Sequence, residues 1–264
     1  MKFFKSTMAA VLSLGMVFSL AACGSDNTKQ SNNENSNTNE GKTYVIATDT
    51  TFAPFEFENA DGEFVGIDID IMKAIAEDQG FDIEIQSLGF NAALQAVTAG
   101  QADGMIAGMS ITDDRKEVFD FSEPYFDSGV VMAIGKNNND IKSYEDLAGK
   151  KVAVKVGTEG ETFASSIAEK YGFTMDVYDD SNSMYQAVLS GNAVACFEDY
   201  PVVGYAITQG IELKLVTEKE QGSSYGFAVK KGSNPELIEM FNEGFANLKE
   251  SGKYQEILDT YIQE

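Results

Sequence analysis

Arg115 closes the run Ser110-Ile111-Thr112-Asp113-Asp114-Arg115. A guanidinium there offers a planar fork that can grip a carboxylate through two parallel hydrogen bonds. Thr112 is placed to cap a helix whose first N–H groups would face the same anion. The competing reading is a helix-surface arginine paired with Asp113, Asp114 or Glu117. Asp199 carries the opposite charge. It follows the apolar run Ala193-Val194-Ala195-Cys196-Phe197 and precedes Tyr200-Pro201, a helix start. A carboxylate in that position either pairs with a ligand cation or caps the helix it precedes. Imidazole chemistry is excluded, because the 264-residue chain has no histidine. Triads that need imidazole cannot form, and a zinc site would need unusual ligands. No catalytic residue, metal or cofactor is expected, which points to binding rather than turnover.

The chain carries 42 acidic and 19 basic side chains, a formal charge of −23. That balance opposes binding to nucleic acid or to anionic lipid. Its simplest meaning is solubility outside the cell. Met1 to Ala22 reads as a signal peptide, with Lys2 and Lys5 ahead of an apolar run from Met8 to Leu20. Leu20-Ala21-Ala22-Cys23 resembles the bacterial lipobox, which implies lipidation at Cys23 and an extracytoplasmic, membrane-anchored protein. Gly24 to Gly41 is rich in Asn, Ser, Thr and Glu and lacks large apolar residues, so it reads as a flexible tether. With Cys23 consumed by lipid, Cys196 is left alone in an apolar strand, as a packed thiol without a disulfide.

Residues from Lys42 to Glu264, roughly 220 of them, must supply the fold. Tyr44 to Ala47 reads as a buried strand, and Ile67, Ile71 and Ile75, with Met72 and Ala76, make one helical face ending at Gly80. A strand over 81–85, a helix over 91–99 and a strand over 105–107 follow. The second half repeats the order: strand 151–156, helix 161–170, strand 174–178, helix 184–190, strand 193–197. Alternation of this kind implies α/β architecture with largely parallel sheets. One detail argues for two related lobes. Gln95-Ala96-Val97, Gly100 and Ala102 recur 91 positions on as Gln186-Ala187-Val188, Gly191 and Ala193. The two strand ends, Ala107-Gly108 and Glu198-Asp199, would then face each other across a cleft. Asn234-Pro235 should open a long helix with Leu237, Phe241, Phe245 and Leu248 on its buried stripe.

Five segments carry a resemblance: Ala47-Thr-Asp-Thr-Thr-Phe-Ala-Pro-Phe-Glu56, Gly66-Ile-Asp-Ile-Asp70, Ala107-Gly-Met-Ser-Ile-Thr-Asp-Asp-Arg115, Phe119-Asp-Phe-Ser-Glu-Pro-Tyr125 and Lys155-Val-Gly-Thr158. In this order they look like the polar-amino-acid substrate-binding proteins of ABC importers. The resemblance spans essentially all of Lys42 to Glu264. It implies the type II periplasmic-binding-protein fold, two lobes about a ligand cleft with a two-segment hinge. Lobe 1 would hold 42–125 and 225–264, lobe 2 would hold 130–221, and the hinge 125–129 and 222–226. It further implies that Arg115 takes the ligand carboxylate and Asp199 its ammonium. Ala107, Gly108 and Ser110 would contribute backbone groups and a hydroxyl, and Thr158 and the Glu159 N–H carboxylate contacts from the second lobe. Glu159 departs from the small or hydroxyl residue expected there. Phe52 and Phe90 should wall the pocket, or else belong to the core.

Ligand identity rests on Asp49 and Lys155. In the glutamine-binding proteins that the chain most resembles, the matching residues read the side-chain amide, the aspartate accepting and the lysine donating. A neutral amide suits a mixed pair better than a cation or an anion does. The bland alternatives are a strand-end turn and a solvated charge. The expected protein is a monomeric, lipid-anchored carrier of glutamine for an ABC permease. A basic amino acid as ligand and a sensor role are the alternatives, and a dehydratase on the same scaffold or an adhesin is less favoured.

Overall fold

The computed structural model describes residues 41–262. The signal peptide, Cys23 and the tether read from the sequence lie outside the described residues. Among the described residues no helix is long and apolar enough to cross a membrane.

Two mixed sheets form the frame. The first runs in spatial order Asp82–Ser87, Thr43–Thr48, Gly104–Met105, Ala228–Lys230, Phe119–Phe121. Its first three strands are parallel, and Ala228–Lys230 returns antiparallel. The second runs Thr174–Tyr178, Lys151–Lys155, Ala195–Asp199, Phe126–Gly135, Leu213–Leu215. Again three parallel strands meet an antiparallel one, Phe126–Gly135. Each sheet therefore sets its second strand outside its first and its third inside, next to a strand contributed from across the hinge.

The internal echo has a structural counterpart. Ala102 N–H bonds the Ala96 carbonyl at 3.2 Å, and Ala193 N–H bonds the Ala187 carbonyl at 3.0 Å. Gly100 and Gly191 both take the left-handed backbone that ends a helix cheaply.

Both sheets are buried on both faces, so successive side chains of one strand enter different cores. Tyr44 and Ile46 pack with Ile67, Ile71, Ile75, Phe241 and Phe245. Ala47 packs instead with Phe90, Ala93 and Val97. In the second lobe Val152 and Val154 join Phe163 and Phe197, while Ala153 joins Met184, Val188 and Cys196. The Cys196 thiol is buried, and burial pushes its pKa up, as expected of a packed thiol.

Element positions hold with shifts at their ends. The third strand of the second lobe lies at Ala195–Asp199, two residues later than the apolar run suggests, so Glu198 and Asp199 belong to it. The third strand of the first lobe is only Gly104–Met105. Asn234 precedes Pro235–Ser251 but does not cap it with its side chain. Its Nδ2 instead donates to the Asp103 carbonyl at 3.0 Å, tying the helix start to the first lobe.

Two strands connect the sheets. Phe126–Gly135 and Glu220–Tyr225 pair antiparallel, Phe126 opposite Tyr225 and Ser128 opposite Ser223, before a register shift next to Glu220. Gly129 is required there, because a Cβ would sit 2.9 Å from the Glu220 carbonyl oxygen.

Candidate functional site

The site is built at the carboxyl ends of the parallel strands, where the two sheets face each other. Phe52, Phe90, Gly108, Ser110, Arg115, Thr158, Glu159 and Asp199 line one narrow cavity of about 10 Å³ between the lobes. All eight were expected at the site from the sequence. Ala107, Asp49 and Lys155 lie behind that lining and are buried.

Arg115 sits in the one-turn helix Asp113–Lys116, whose cap is Thr112: the Arg115 N–H donates to Thr112 Oγ1 at 3.2 Å. The helix is too short to project a row of N–H groups, so the anion-facing role expected of it falls to the side chain. Nη1 donates to the Ser110 carbonyl at 2.8 Å, and Nη2 to the Gly157 carbonyl of the second lobe at 3.0 Å. Nη2 also lies 3.8 Å from Glu159 Oε1. The guanidinium is held over the Phe90 ring, 5.4 Å from its centroid. These are not the contacts of a surface arginine paired with its own helix. Glu159, unexplained in the sequence, supplies a carboxylate that meets Arg115 across the cleft.

Asp199 does not cap the helix Tyr200–Thr208 with its side chain. Its Oδ2 accepts from the Tyr225 hydroxyl at 2.6 Å, and Tyr225 accepts in turn from Ser128 at 2.9 Å. Burial, reinforced by Glu198, pushes the Asp199 carboxyl up to about 7, against the pull of Tyr225 and Arg115. Neither Tyr225 nor Ser128 stood out in the sequence. Both lie on the crossing strands. A ligand ammonium would bind only the ionised Asp199. Amino-acid affinity is therefore expected to fall as pH drops through about 7, with a proton released on binding below that pH, where free Asp199 still carries it. Calorimetry in two buffers of different ionisation enthalpy measures that proton.

Gly108 has φ +52°, and a Cβ there would lie 2.2 Å from the Phe52 ring. Its N–H donates to Asp68 Oδ2 at 2.7 Å. Thr158 caps the helix Glu159–Tyr171, accepting from Glu161 N–H at 3.3 Å and donating to the Lys155 carbonyl at 2.7 Å. Its hydroxyl is thereby committed to the loop that carries the pocket wall.

Asp49 and Lys155 come together from opposite lobes as a buried ion pair. Asp49 Oδ1 also accepts the Thr50 N–H at 2.6 Å and the Phe90 N–H at 3.1 Å. Lys155 Nζ lies 3.4 Å from Ser181 Oγ, and Ser181 donates to Glu198 Oε2 at 2.9 Å. Lys155 also stands 5.1 Å from the Phe52 ring centroid. The arrangement is a cation and a carboxylate on opposite walls of a small enclosed cavity, backed by an internally neutralised pair. Among the described residues no cluster of three or more acidic, Cys or His side chains could hold a metal.

Residues 44–264 match the family described as bacterial extracellular solute-binding proteins, family 3. The arginine-binding extracellular protein ArtP of Bacillus subtilis is 28% identical over 96% of each chain. The second substrate-binding domain of Lactococcus lactis GlnP, solved in an open conformation, is 46% identical over 84% of this chain and 96% of that domain, with a TM-score of 0.59. An ancestral arginine-binding protein bound to glutamine is 37% identical over 84% of this chain and 98% of that one, with a TM-score of 0.78. The GlnP domain is thus nearer in sequence and farther in shape. The Arg115–Gly157 hydrogen bond joins the two lobes directly.

Proposed function

The chain belongs to the bacterial extracellular solute-binding proteins, family 3, and on that premise we propose that it captures glutamine outside the cell and hands it to an ABC importer. In this reading Arg115 takes the α-carboxylate and Asp199 the α-ammonium. Gly108 and Ser110 complete the first-lobe wall and Thr158 and Glu159 the second, with Ala107 behind them and Phe52 and Phe90 excluding water. Ligand held between two lobes favours their closure through its differential affinity for the closed form, and the closed protein docks on the permease. Lipidation at Cys23 keeps it at the membrane.

One observation carries glutamine over a basic amino acid: the buried Asp49–Lys155 pair behind Phe52. Its charges cancel. A guanidinium side chain reaching that end would meet the Lys155 ammonium, whereas a neutral amide can donate to Asp49 and accept from Lys155. The basic-amino-acid reading draws support from the curated arginine-binding relative at 28% identity.

Lys155→Met separates the two. It keeps the aliphatic stem and removes the charge, leaving Asp49 as an unbalanced carboxylate. Glutamine affinity is expected to fall by about tenfold or more, and arginine affinity to fall less or to rise. Calorimetry with both ligands decides, and equal losses would sink the glutamine assignment. A thermal-shift series over the twenty amino acids checks it independently, since a ligand at 100 times its Kd adds about 2.7 kcal/mol.

A further inference from the structure

Behind the cavity lies a second set of ionisable groups that the binding reading does not use. Glu56 and Asp68 are both fully buried. Glu56 stands on the short strand Glu56–Glu58, and Asp68 in the first turn of Ile67–Gln79. Asp68 Oδ2 has two donors, the Gly108 N–H at 2.7 Å and the Tyr125 hydroxyl at 2.8 Å. Asp68 Oδ1 and both Glu56 oxygens have no hydrogen-bond partner, and the Asp68 N–H bonds the Phe55 carbonyl at 3.0 Å, which sets Asp68 beside Glu56 in the same apolar interior.

Two carboxylates cannot lie side by side in an apolar interior with both ionised. One proton between them removes the repulsion and gives Asp68 Oδ1 its donor. We propose that Glu56 and Asp68 share one buried proton, and that this pair positions the pocket loop at Gly108 and the hinge at Tyr125. Glu56 is the proton carrier, because Asp68 already accepts two hydrogen bonds that favour its charged form. Through Oδ2 the pair orients the peptide between Ala107 and Gly108, on the cavity wall. It also holds Tyr125, whose carbonyl accepts from the Tyr254 hydroxyl at 2.6 Å and whose N–H bonds the Tyr225 carbonyl at 2.9 Å. Pocket floor and hinge are thus fastened to one carboxylate.

The groups facing the pair agree with this charge state. Glu56 feels Asp68, Asp49 and Lys155, and burial with the two carboxylates outweighs the lysine, raising its pKa well above the usual range. Burial also raises Asp68, to about 6, against the donors Gly108, Tyr125 and Glu56. Tyr125, Tyr225 and Tyr254 are neutral neighbours, all with raised pKa. A group that binds its proton more tightly in the assembled site contributes fully at low pH and loses that contribution as pH rises through its folded pKa. The pair therefore gives ligand affinity an alkaline limb, opposite in sign to the acid limb from Asp199.

The inference rests on the amino-acid-binding reading of the cavity but not on which amino acid binds. It is tested with the full chain and three variants. Infrared difference spectra of ligand-free protein at neutral pH should show a protonated-carboxyl C=O band that Glu56→Gln lacks. Glu56→Gln keeps a neutral donor to Asp68. It should bind glutamine or arginine within about threefold of the native protein at neutral pH, and without the alkaline limb. Glu56→Leu and Asp68→Ala should each lose about tenfold or more, the effect of orphaning buried hydrogen-bonding groups. A band unchanged in Glu56→Gln, or an alkaline limb that persists in it, overturns the proposal. If the native protein binds neither probe, the function reading fails, and the band still decides this one.

Discussion

Arg115→Ala is expected to abolish detectable amino-acid binding while the protein stays folded. Truncating one partner of a desolvated charge contact costs about 2–5 kcal/mol, which is a loss of roughly 30-fold to several thousandfold. Arg115 stands at the upper end of that range for three structural reasons. It is mostly withdrawn from solvent, and desolvation lowers its pKa in spite of nearby Glu159 and Asp199. It touches both lobes, through the Ser110 and Gly157 carbonyls. Its removal also leaves Glu159 facing the cavity with no arginine opposite it, so a ligand carboxylate would meet a like charge. Calorimetry with glutamine and arginine reads the binding, and circular dichroism reads the fold. Affinity within a few-fold of the native protein would end the assignment of the carboxylate to this side chain.

Asp49→Ala should act on closure more than on folding. Breaking a buried ion pair by deleting one partner costs about 3–5 kcal/mol when the other charge stays buried. Here the partner need not stay buried. Asp49 and Lys155 come from different lobes, so separating the lobes returns the ammonium to water. The cost falls on the closed form, and ligand affinity is expected to drop by ~100-fold or more, with ligand-induced compaction in small-angle scattering lost. Ligand-free stability should change by only about 1 kcal/mol, for the acceptor lost by the Phe90 N–H at the start of its helix. The double variant Asp49→Ala, Lys155→Met removes both charges and should recover much of the compaction. If the single and double variants are equally impaired, the pair is not coupled and the closure argument fails.

Much of the fold was legible along the chain. Ile67, Ile71 and Ile75 repeat at helical spacing and are buried together on one helix. The paired runs around Gln95 and Gln186 form the same helix, turn and strand in each lobe, down to one shared backbone hydrogen bond. These features depend on local periodicity and on glycine's access to left-handed backbone, which a sequence displays directly. The residues of the cavity wall were legible for a different reason. They fall in short segments beside strand ends, and a family resemblance carried them over position by position.

What escaped the sequence was the pairing of buried polar groups, mostly between lobes. Asp49 and Lys155 were expected to read a ligand amide as a mixed pair, and in the structure they also bond each other. The Glu159 side chain had no role until Arg115 was placed opposite it. Tyr225 fell in the expected hinge with no role of its own, and its hydroxyl holds Asp199. Glu56 and Asp68 sat in quoted motifs without an assigned partner. Most of these contacts join residues far apart in the chain, and a buried charge gets its meaning from the partner and the solvent exclusion that only assembly supplies. The sequence by itself determined the kinds of element and the doubled architecture, because these follow from side-chain periodicity and local backbone preference, and it marked the cleft residues through motifs shared with a family. Only the tertiary structure decided which charges neutralise one another there, because that depends on distances set by two sheets packing face to face.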